Sequence, residues 1–294
     1  MKVLVIGSTG MLGQALMYEM KRCGIKVIGI ARSGADISCD IVDDRTLSNI
    51  ILSIKPQIII NSAAMVSLAK CEDKPDYAYL INARPASILA EISLKTGIYF
   101  IQISTDHYYT GDCNIKHTEE QPIRLINEYG RTKYAGESFA LTCQNALVVR
   151  TNIVGFRNKI DTPTFVEWAI QNIKNNSPIT LFDDYFTSSI HVTQFSSALL
   201  DIIEKRPSGV LNLASSEVFS KKAFICALAE KMGHTLTNVK IGSVVDAGDA
   251  SRAESLGLDV GKAETLLGYK LPNLEEVITS IVEKYENGVK NEIR

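Results

Sequence analysis

Residues 1–20, MKVLVIGSTGMLGQALMYEM, decide how this chain folds. The apolar run Val3–Ile6 is typical of a short strand that is buried on both faces. Three glycines follow it with the spacing GxxGxxG: Gly7, Gly10 and Gly13. Beyond them, apolar residues recur at helical spacing: Leu12, Leu16 and Met20. The stretch therefore predicts a strand, a glycine turn and a helix in succession.

A turn of this kind is suited to hold a dinucleotide. Its backbone N–H groups and the positive end of the helix meet at the carboxyl edge of the sheet, where a diphosphate binds. In this interpretation Gly7 permits the tight turn, Gly10 the close approach of the ligand, and Gly13 the close packing of helix on sheet. The glycine spacing alone is weak, but the strand before it and the helix after it favour a dinucleotide site.

The first half of the chain repeats this alternation of strand and helix. Apolar runs typical of strands lie at Val27–Ile30, Ile58–Ile60, Tyr99–Ile103 and Leu147–Val149. Helical patterns lie at Met11–Cys23, Arg45–Ile54, Tyr77–Thr96 and Glu128–Leu141. We therefore predict an α/β fold, with a Rossmann-like doubly wound parallel sheet and helices on both of its faces. Ligands of such sheets bind at the carboxyl ends of the strands.

Past Gly155 the alternation weakens, which indicates a second unit. We predict that residues 1–155 form a nucleotide-binding domain, which residues 190–205 join. Residues 156–294 are predicted to form a smaller lobe that closes over the substrate. Helical patterns in this half lie at Thr164–Asn175, Val192–Glu204 and Lys221–Met232. A capping box, Asn273–Glu276, opens a final amphipathic helix.

The composition argues against several classes of partner. The 31 basic and 33 acidic residues give a net charge of −2 and form no basic block, so nucleic acid and anionic membranes are poor candidates. No apolar run approaches the ~18 residues of a membrane span, and a strand that starts at Val3 leaves no room for a signal peptide. The six cysteines include no CxxC, and the four histidines lack metal-ligand spacing. We therefore expect a cytoplasmic protein with reduced thiols and no metal site.

The residues after the second and third strands indicate which dinucleotide binds. Arg32 stands where sites that prefer NAD place an acid for the ribose hydroxyls, and a guanidinium suits the 2′-phosphate of NADP. The alternative is that Arg32 is a solvated surface side chain. Asp40 and Ile41 are expected to offer a carboxylate and an apolar face to the adenine. Ala63 and Ala64 are small enough to let the backbone approach the cofactor.

Three residues beyond the fourth strand have the chemistry of a proton-transfer site. Thr105 follows the strand, and Tyr129 and Lys133 follow on the next helical pattern, four residues apart and on one helix face. An ammonium beside a phenol stabilises the phenolate and lowers the phenol's pKa from about 10. Thr105 is placed to polarise a substrate carbonyl. Together these groups can protonate an alkoxide as a hydride arrives.

Several motifs together look like those of the extended short-chain dehydrogenase/reductase family: GSTGMLG, NSAA, STD, YGRTK and LVVRTNIVG. Within it, PQIIINSAAMVSLAKCEDKPDYAYLINA and ISTDHYYTGD most resemble the dTDP-4-dehydrorhamnose reductases. The resemblance implies catalytic roles for Thr105, Tyr129 and Lys133. It also implies cofactor contacts at the turn, at the strand end beneath it and at the catalytic helix: Gly7, Gly10, Met11, Leu12, Ala63, Ala64, Tyr129 and Lys133.

The chain departs from the family pattern where the family meets its sugar. STDYVF becomes STDHYY with His107, Ala69 replaces an aspartate, and Ile153 replaces the tryptophan of RTSW. We therefore expect that dTDP-4-dehydrorhamnose is not the best substrate. The predicted substrate contacts are Ser104, Thr105, His107, Asn152 and Arg252.

Two of these contacts have a structural alternative. His107 is equally well explained as a packed imidazole with its hydrogen bonds satisfied. Arg252 lies in a segment that resembles the family's RPxNSxL. It is a candidate for bidentate contact with a nucleotide-sugar diphosphate, or else it forms a surface ion pair.

The resemblance implies an NADPH-dependent reductase of a 4-keto-6-deoxy sugar nucleotide, in surface polysaccharide or deoxysugar biosynthesis. NAD is the second choice of cofactor, a nucleotide-linked sugar is the partner, and a homodimer is considered as the assembly. A 4,6-dehydratase or epimerase is one alternative, although such dehydratases usually place Glu where His107 stands. Another is a non-catalytic NADP-binding regulatory subunit, like the one that partners methionine adenosyltransferase.

Overall fold

The computed structural model describes residues 1–159, 161–246 and 252–292. Its strands, in chain order, are β1 Lys2–Ile6, β2 Lys26–Ala31, β3 Ile37–Ser38, β4 Ile58–Asn61, β5 Tyr99–Ile103, β6 Ala146–Arg150, β7 Ile153–Val154, β8 Ile179–Phe182, β9 Phe186–Thr187, β10 Ile190–His191, β11 Gly209–Asn212, β12 Phe219–Ser220, β13 Val239–Gly242 and β14 Ser255–Leu256.

The α-helices are α1 Met11–Arg22, α2 Asp44–Ile54, α3 Leu68–Asp73, α4 Pro75–Asn82, α5 Arg84–Thr96, α6 Glu128–Ala140, α7 Phe165–Asn175, α8 Val192–Lys205, α9 Lys221–Lys231, α10 Gly261–Leu267 and α11 Leu274–Glu292. A 3₁₀ turn spans Val244–Asp246. Of these helices, none is both long and apolar enough to cross a membrane.

A parallel sheet of seven strands, counted within the described residues, forms the centre of the fold. Its strand order is β11-β6-β5-β4-β1-β2-β3. Val5 of β1 lies opposite Gly29 of β2 and Ile60 of β4. The strand order reverses between β1 and β4, which is where open α/β sheets bind their ligands. The predicted doubly wound parallel sheet is confirmed.

Both faces of this sheet are covered, which explains why β1 is apolar throughout. Val5 packs in a cluster with Leu16 of α1 and Phe195 of α8. The residue before Val5 points to the opposite face of the sheet. This residue, Leu4, packs in a second cluster with Leu89 of α5. Each of these side chains is fully buried.

The prediction of a single helix over Tyr77–Thr96 is wrong. The structure has two helices there, α4 and α5, which meet at Ala83. Pro85 is the second residue of α5, and its ring disfavours helical backbone immediately before it, so a continuous helix cannot form. At this break, the side chain of Asn82, the last residue of α4, accepts a hydrogen bond from Met65 N at 2.8 Å.

The second half of the chain builds a separate apolar cluster that includes Val166 of α7, Phe224 of α9 and Ile281 of α11. Small strand pairings frame it, with β12-β9-β14, β13-β8 and β10-β7 as neighbours. Two other parts of this half return to the large sheet: β11 is its edge strand, and residues within 258–271 pack in the cluster that holds Val5. The division of the chain at residue 155 stays a prediction.

Candidate active site

The glycine turn packs closely against neighbouring backbone because its residues lack side chains. Gly7 has a φ of +83°, and a Cβ there would lie 2.7 Å from the backbone nitrogen of Ala63. A Cβ at Gly13 would lie 2.2 Å from the carbonyl oxygen of Gly7, and one at Gly10 would lie 3.2 Å from the same oxygen. Gly10 also caps the start of α1 without any side-chain hydrogen bond. The turn therefore holds the helix end against β1 and β4 and fits the predicted diphosphate cradle.

The residues predicted to hold the adenosine half of the cofactor lie around the same edge of the sheet. Arg32 and Asp40 are exposed, and Asp40 accepts a hydrogen bond from Val42 N at 3.2 Å. Ile41 is only 8% exposed and packs in the cluster with Leu4, so the structure does not support a free apolar face for the adenine at this residue.

A cavity of about 470 Å³ joins the turn to the predicted catalytic residues. The turn and the end of β4 form one wall with Gly10, Met11, Leu12, Gly13, Ser62 and Ala64. Thr105, Tyr129 and Lys133 line it as well. Its lining also includes residues from beyond β6: Asn152, Ile153, Arg157 and Phe165 among others. The fold thus brings together residues that are far apart along the chain.

Local structure explains how the three central residues meet. Thr105 follows β5, and α6 starts at an N-cap, Asn127, whose side chain accepts from Gly130 N at 2.7 Å. One turn into the helix, Lys133 Nζ donates to Ile103 O, the last carbonyl of β5, at 2.7 Å. Tyr129 is held from the other side by an edge-to-face contact with His107, at 5.4 Å between ring centres.

Burial decides the proton affinity of Tyr129. It raises the pKa of the phenol well above its usual value, while a hydrogen bond with Thr105 opposes the rise. The direction is opposite to the one expected from a neighbouring ammonium. Lys133 lies close on the helix, but its ammonium is bound to the β5 carbonyl, and burial lowers the pKa of Lys133 to about 8. Tyr129 is therefore a neutral phenol that still carries its proton.

Asp106 is a member of the site that the sequence analysis did not assign. It lines the cavity, is 1% exposed, and accepts a hydrogen bond from Asn152 Nδ2 at 2.7 Å. Burial raises the pKa of its carboxyl to about 7. The available signal was its position, because it follows Thr105 at the carboxyl end of a central strand.

Ser104, a predicted substrate contact, lines the cavity, and its hydroxyl also has a structural partner. Ser104 Oγ donates to Glu137 Oε1 at 2.6 Å, and Arg150 Nη2 donates to Glu137 Oε2 at 2.9 Å. All three side chains are buried. The hydroxyl thus helps to satisfy a carboxylate that a buried guanidinium requires.

The other predicted substrate contacts differ in their surroundings. Asn152 lines the cavity and accepts from Ser189 Oγ at 2.7 Å. His107 lines it too, and its Nδ1 is buried with no hydrogen-bond partner in the described part of the chain. Burial lowers the pKa of His107 to about 4, so the imidazole is neutral. Arg252 is exposed, and its charge contributes to lowering the pKa of His107.

Two further polar groups in the cavity wall lack partners, and the sequence analysis assigned a role to neither. Thr151 Oγ1 and Arg157 Nε are buried without a hydrogen bond to any described residue. Arg157 Nη2 is bound by the carbonyl of Thr162, which holds the guanidinium in place. Unsatisfied buried polar atoms in one cavity indicate a polar ligand.

Proteins of similar sequence or structure include one that binds NADP. The dTDP-4-dehydrorhamnose reductase of Bacillus anthracis, solved in complex with NADP, superposes with a TM-score of 0.87 at 25% identity, over 96% of this chain and 99% of that chain. The spore coat polysaccharide biosynthesis protein SpsK of Bacillus subtilis is 28% identical over 79% of this chain and 80% of its own. The methionine adenosyltransferase 2 subunit beta of Rattus norvegicus is 26% identical over 92% of this chain and 84% of its own.

A family model described as the RmlD substrate binding domain matches residues 1–287, almost the full length. This match agrees with the parallel sheet, the glycine turn and the residues gathered in the cavity. The chain therefore belongs to the RmlD substrate binding domain family, among the sugar-nucleotide reductases of the extended short-chain dehydrogenase/reductase type.

Proposed function

We propose that this protein reduces a 4-keto-6-deoxy sugar nucleotide with NADPH, in the biosynthesis of a surface polysaccharide or a deoxysugar. The observation that carries the proposal is the single cavity in which Thr105, Tyr129 and Lys133 meet the glycine turn. The polysaccharide role is supported by the similarity to SpsK. The reductive chemistry and the choice of NADP are supported by the reductase from Bacillus anthracis.

NADPH fits the residues present. A Cβ at Gly7, Gly10 or Gly13 would lie within 3.2 Å of neighbouring backbone atoms, so glycine is what lets α1 start beside β1. The N–H groups of its first turn, which have no acceptor within the helix, are then available for a diphosphate. Arg32, exposed after β2, is the candidate for the 2′-phosphate. When bound, the cofactor supplies a hydride for the keto carbon of the sugar.

Tyr129 is the proposed proton donor to the keto oxygen. Because its pKa is raised, the phenol keeps its proton until negative charge develops on that oxygen. The Thr105 hydroxyl, hydrogen-bonded to Tyr129, is proposed to stabilise the same developing charge. Lys133, held at the end of β5, is proposed to orient the cofactor and to return a proton to the phenol.

Polar groups in the cavity lining are proposed to determine which sugar binds. The unpartnered atoms of His107, Thr151 and Arg157 would each gain a hydrogen bond from a suitable hydroxyl, and a sugar lacking it would leave them unsatisfied. Ile153, which lines the cavity, replaces the tryptophan of the family pattern, and Ala69 of α3 replaces an aspartate. We therefore expect another keto sugar to be preferred over dTDP-4-dehydrorhamnose.

The test is a panel of nucleotide-linked 4-keto-6-deoxy sugars, with NADPH consumption as the readout and product stereochemistry read by NMR. Turnover of at least one sugar, with an efficiency above that for dTDP-4-dehydrorhamnose, is the expected result. If dTDP-4-dehydrorhamnose is the best substrate, the proposal about specificity is wrong, but the proposal that the protein is a reductase is supported. If no keto sugar is reduced, the reductase proposal fails.

A regulatory subunit is the second candidate, favoured by the similarity to methionine adenosyltransferase 2 subunit beta. It predicts NADP binding without turnover, together with a stable complex with another enzyme. Co-purification of such a partner from the native cell, with no activity on the sugar panel, would favour it over the reductase.

The assembly and the compartment are further proposals. A homodimer is tested by light scattering of the purified protein over a range of concentrations. A cytoplasmic location is tested by fractionation of the native cell, with detection of the protein in each fraction.

A further inference from the structure

Lys221, the first residue of α9, has an ammonium that forms no ion pair or hydrogen bond with any residue the structure describes. Its Nζ lies over two aromatic rings, 4.3 Å from the ring centre of Phe165 and 5.6 Å from that of Tyr185. Its backbone N–H donates to Tyr185 O at 2.9 Å, which holds the start of the helix beside the ring. The next residue differs, because Lys222 Nζ lies 3.6 Å from Asp183 Oδ2.

This ammonium stands at the substrate cavity. Phe165, beneath Nζ, lines the same cavity as Tyr129 and Asp106. Burial lowers the pKa of Lys221 to about 8, and the negative charge of Asp106 opposes the change. Asp106 itself is hydrogen-bonded to Asn152. A half-buried cation without a direct anionic partner is unfavourable unless a ligand supplies the anion.

A second cation, Arg252, acts on the same neighbouring groups. The charges of Lys221 and Arg252 both lower the pKa of His107, and Arg252 also acts on the phenol of Tyr185. Arg252 thus acts electrostatically on His107, which lines the cavity, and on Tyr185, whose ring lies under Lys221 Nζ. A diphosphate carries spread negative charge and suits one guanidinium, which binds in a fork, together with one ammonium, which binds as a point charge.

We propose that Lys221 binds the diphosphate of the nucleotide sugar jointly with Arg252. The identity of the ligand as a nucleotide sugar rests on the proposed function. The aromatic cradle of Phe165 and Tyr185 holds the ammonium in place before the ligand arrives, so little side-chain freedom is lost on binding. Lys221 then links the second lobe to the charged part of the substrate.

The experiment measures binding of dTDP and of UDP, which carry the diphosphate without a sugar, by calorimetry on the full chain with NADPH present. Lys221→Met should weaken both by about ten- to a hundredfold, since one charge-assisted contact is lost. Lys221→Arg should retain most of the affinity. Lys222→Met is the matched control and should bind both nucleotides like the unmutated protein. The affinity for NADPH should stay unchanged in all three.

Undiminished binding of dTDP and UDP by Lys221→Met would overturn the proposal, and so would an equal loss in Lys222→Met. Failure of the unmutated protein to bind either nucleotide would overturn it as well. Thermal unfolding checks that each variant folds, and Lys221→Gln replaces Lys221→Met if that variant does not. Because binding is measured without a keto sugar, the result is independent of whether any sugar is reduced.

Discussion

Tyr129 and Lys133 lie four residues apart on α6, yet their protons are governed by different surroundings. The phenol is packed against His107 and the small cluster of Cys71 and Ala78, and burial keeps it neutral. The ammonium lies at a strand end with the Ile103 carbonyl as its partner, and burial lowers its pKa to about 8. One group is thus suited to give a proton, and the other exchanges protons near neutral pH.

Replacing Tyr129 by Phe tests the proton donor. General acid catalysis is typically worth ~10²–10⁴-fold, so kcat should fall by about that factor, while the remaining ring keeps the affinity for NADPH nearly unchanged. Tyr134→Phe is the control, since this half-exposed phenol lies on the same helix outside the cavity lining. A near-normal kcat in Tyr129→Phe, measured on a confirmed substrate, would contradict the mechanism.

Replacing Arg32 by Ala tests the choice of cofactor. The unmutated protein should use NADPH better than NADH. In the variant the ratio of kcat/KM for NADPH to that for NADH should fall about ten- to a hundredfold, because the contact with the 2′-phosphate is lost. Steady-state kinetics with both cofactors give the comparison, and Lys26→Ala, exposed at the opposite end of β2, serves as a control for surface charge. Equal use of NADPH and NADH before mutation would rule out this role of Arg32.

Among the elements, the glycine turn and α1 depend on one another. The helix starts close enough to β1 that Gly13 touches the backbone of Gly7 and Ser8, and there is no space for even a methyl group. Backbone atoms cannot rotate away as side chains do, so the contact limits this position to glycine. The same closeness places the helix end at the diphosphate cradle.

Gly13→Ala should therefore shift α1 and damage both stability and cofactor affinity. The cost of overpacking is about 1–3 kcal/mol in the free energy of unfolding. Chemical denaturation measures the first effect and NADPH titration the second. Gly288→Ala is the matched control: this glycine lies in α11 with open space around it, so alanine should raise stability slightly. Unchanged NADPH binding in Gly13→Ala would show that the cofactor site tolerates a larger distance between α1 and β1, and would contradict this prediction.

Across the whole molecule, a buried histidine links segments that lie far apart along the chain. His191 of β10, which is 1% exposed, accepts from or donates to Ser280 Oγ of α11 at 2.7 Å through its Nδ1. It also meets Phe156 edge-on. Burial lowers the pKa of His191 to about 4, so the imidazole is neutral in the fold. This side chain ties the last helix to the segment that follows the large sheet.

The stability should depend on pH through this histidine. An unfolded histidine takes up a proton below a pH of about 6.5, whereas the folded one resists until about 4. The contribution of His191 is therefore present above about pH 6.5 and is lost as the pH falls towards 4, by up to on the order of 3 kcal/mol. In His191→Gln the free energy of unfolding should fall less over this range than in the unmutated protein. If the free energy of unfolding changes equally with pH in both proteins, the proposed contribution of His191 is wrong.

The amino-acid sequence by itself determined the parallel sheet, the glycine turn and the residues of the proposed catalytic group. These features depend on short-range patterns: an apolar run that needs two covered faces, glycines where no Cβ fits, and a spacing of four that puts Tyr129 and Lys133 on one helix face. The order of elements then brings Thr105 to the same edge of the sheet, because parallel strands end together.

Only the tertiary structure decided what lies around those residues. It directed Ser104 to Glu137, because the buried Arg150 requires a satisfied carboxylate. It also reversed the expected direction of the Tyr129 pKa shift, because burial is its largest cause. It also brought Lys221 from the second half of the chain to the cavity edge. Burial and contacts between distant segments arise from the packing of whole elements, so no local spacing could reveal them.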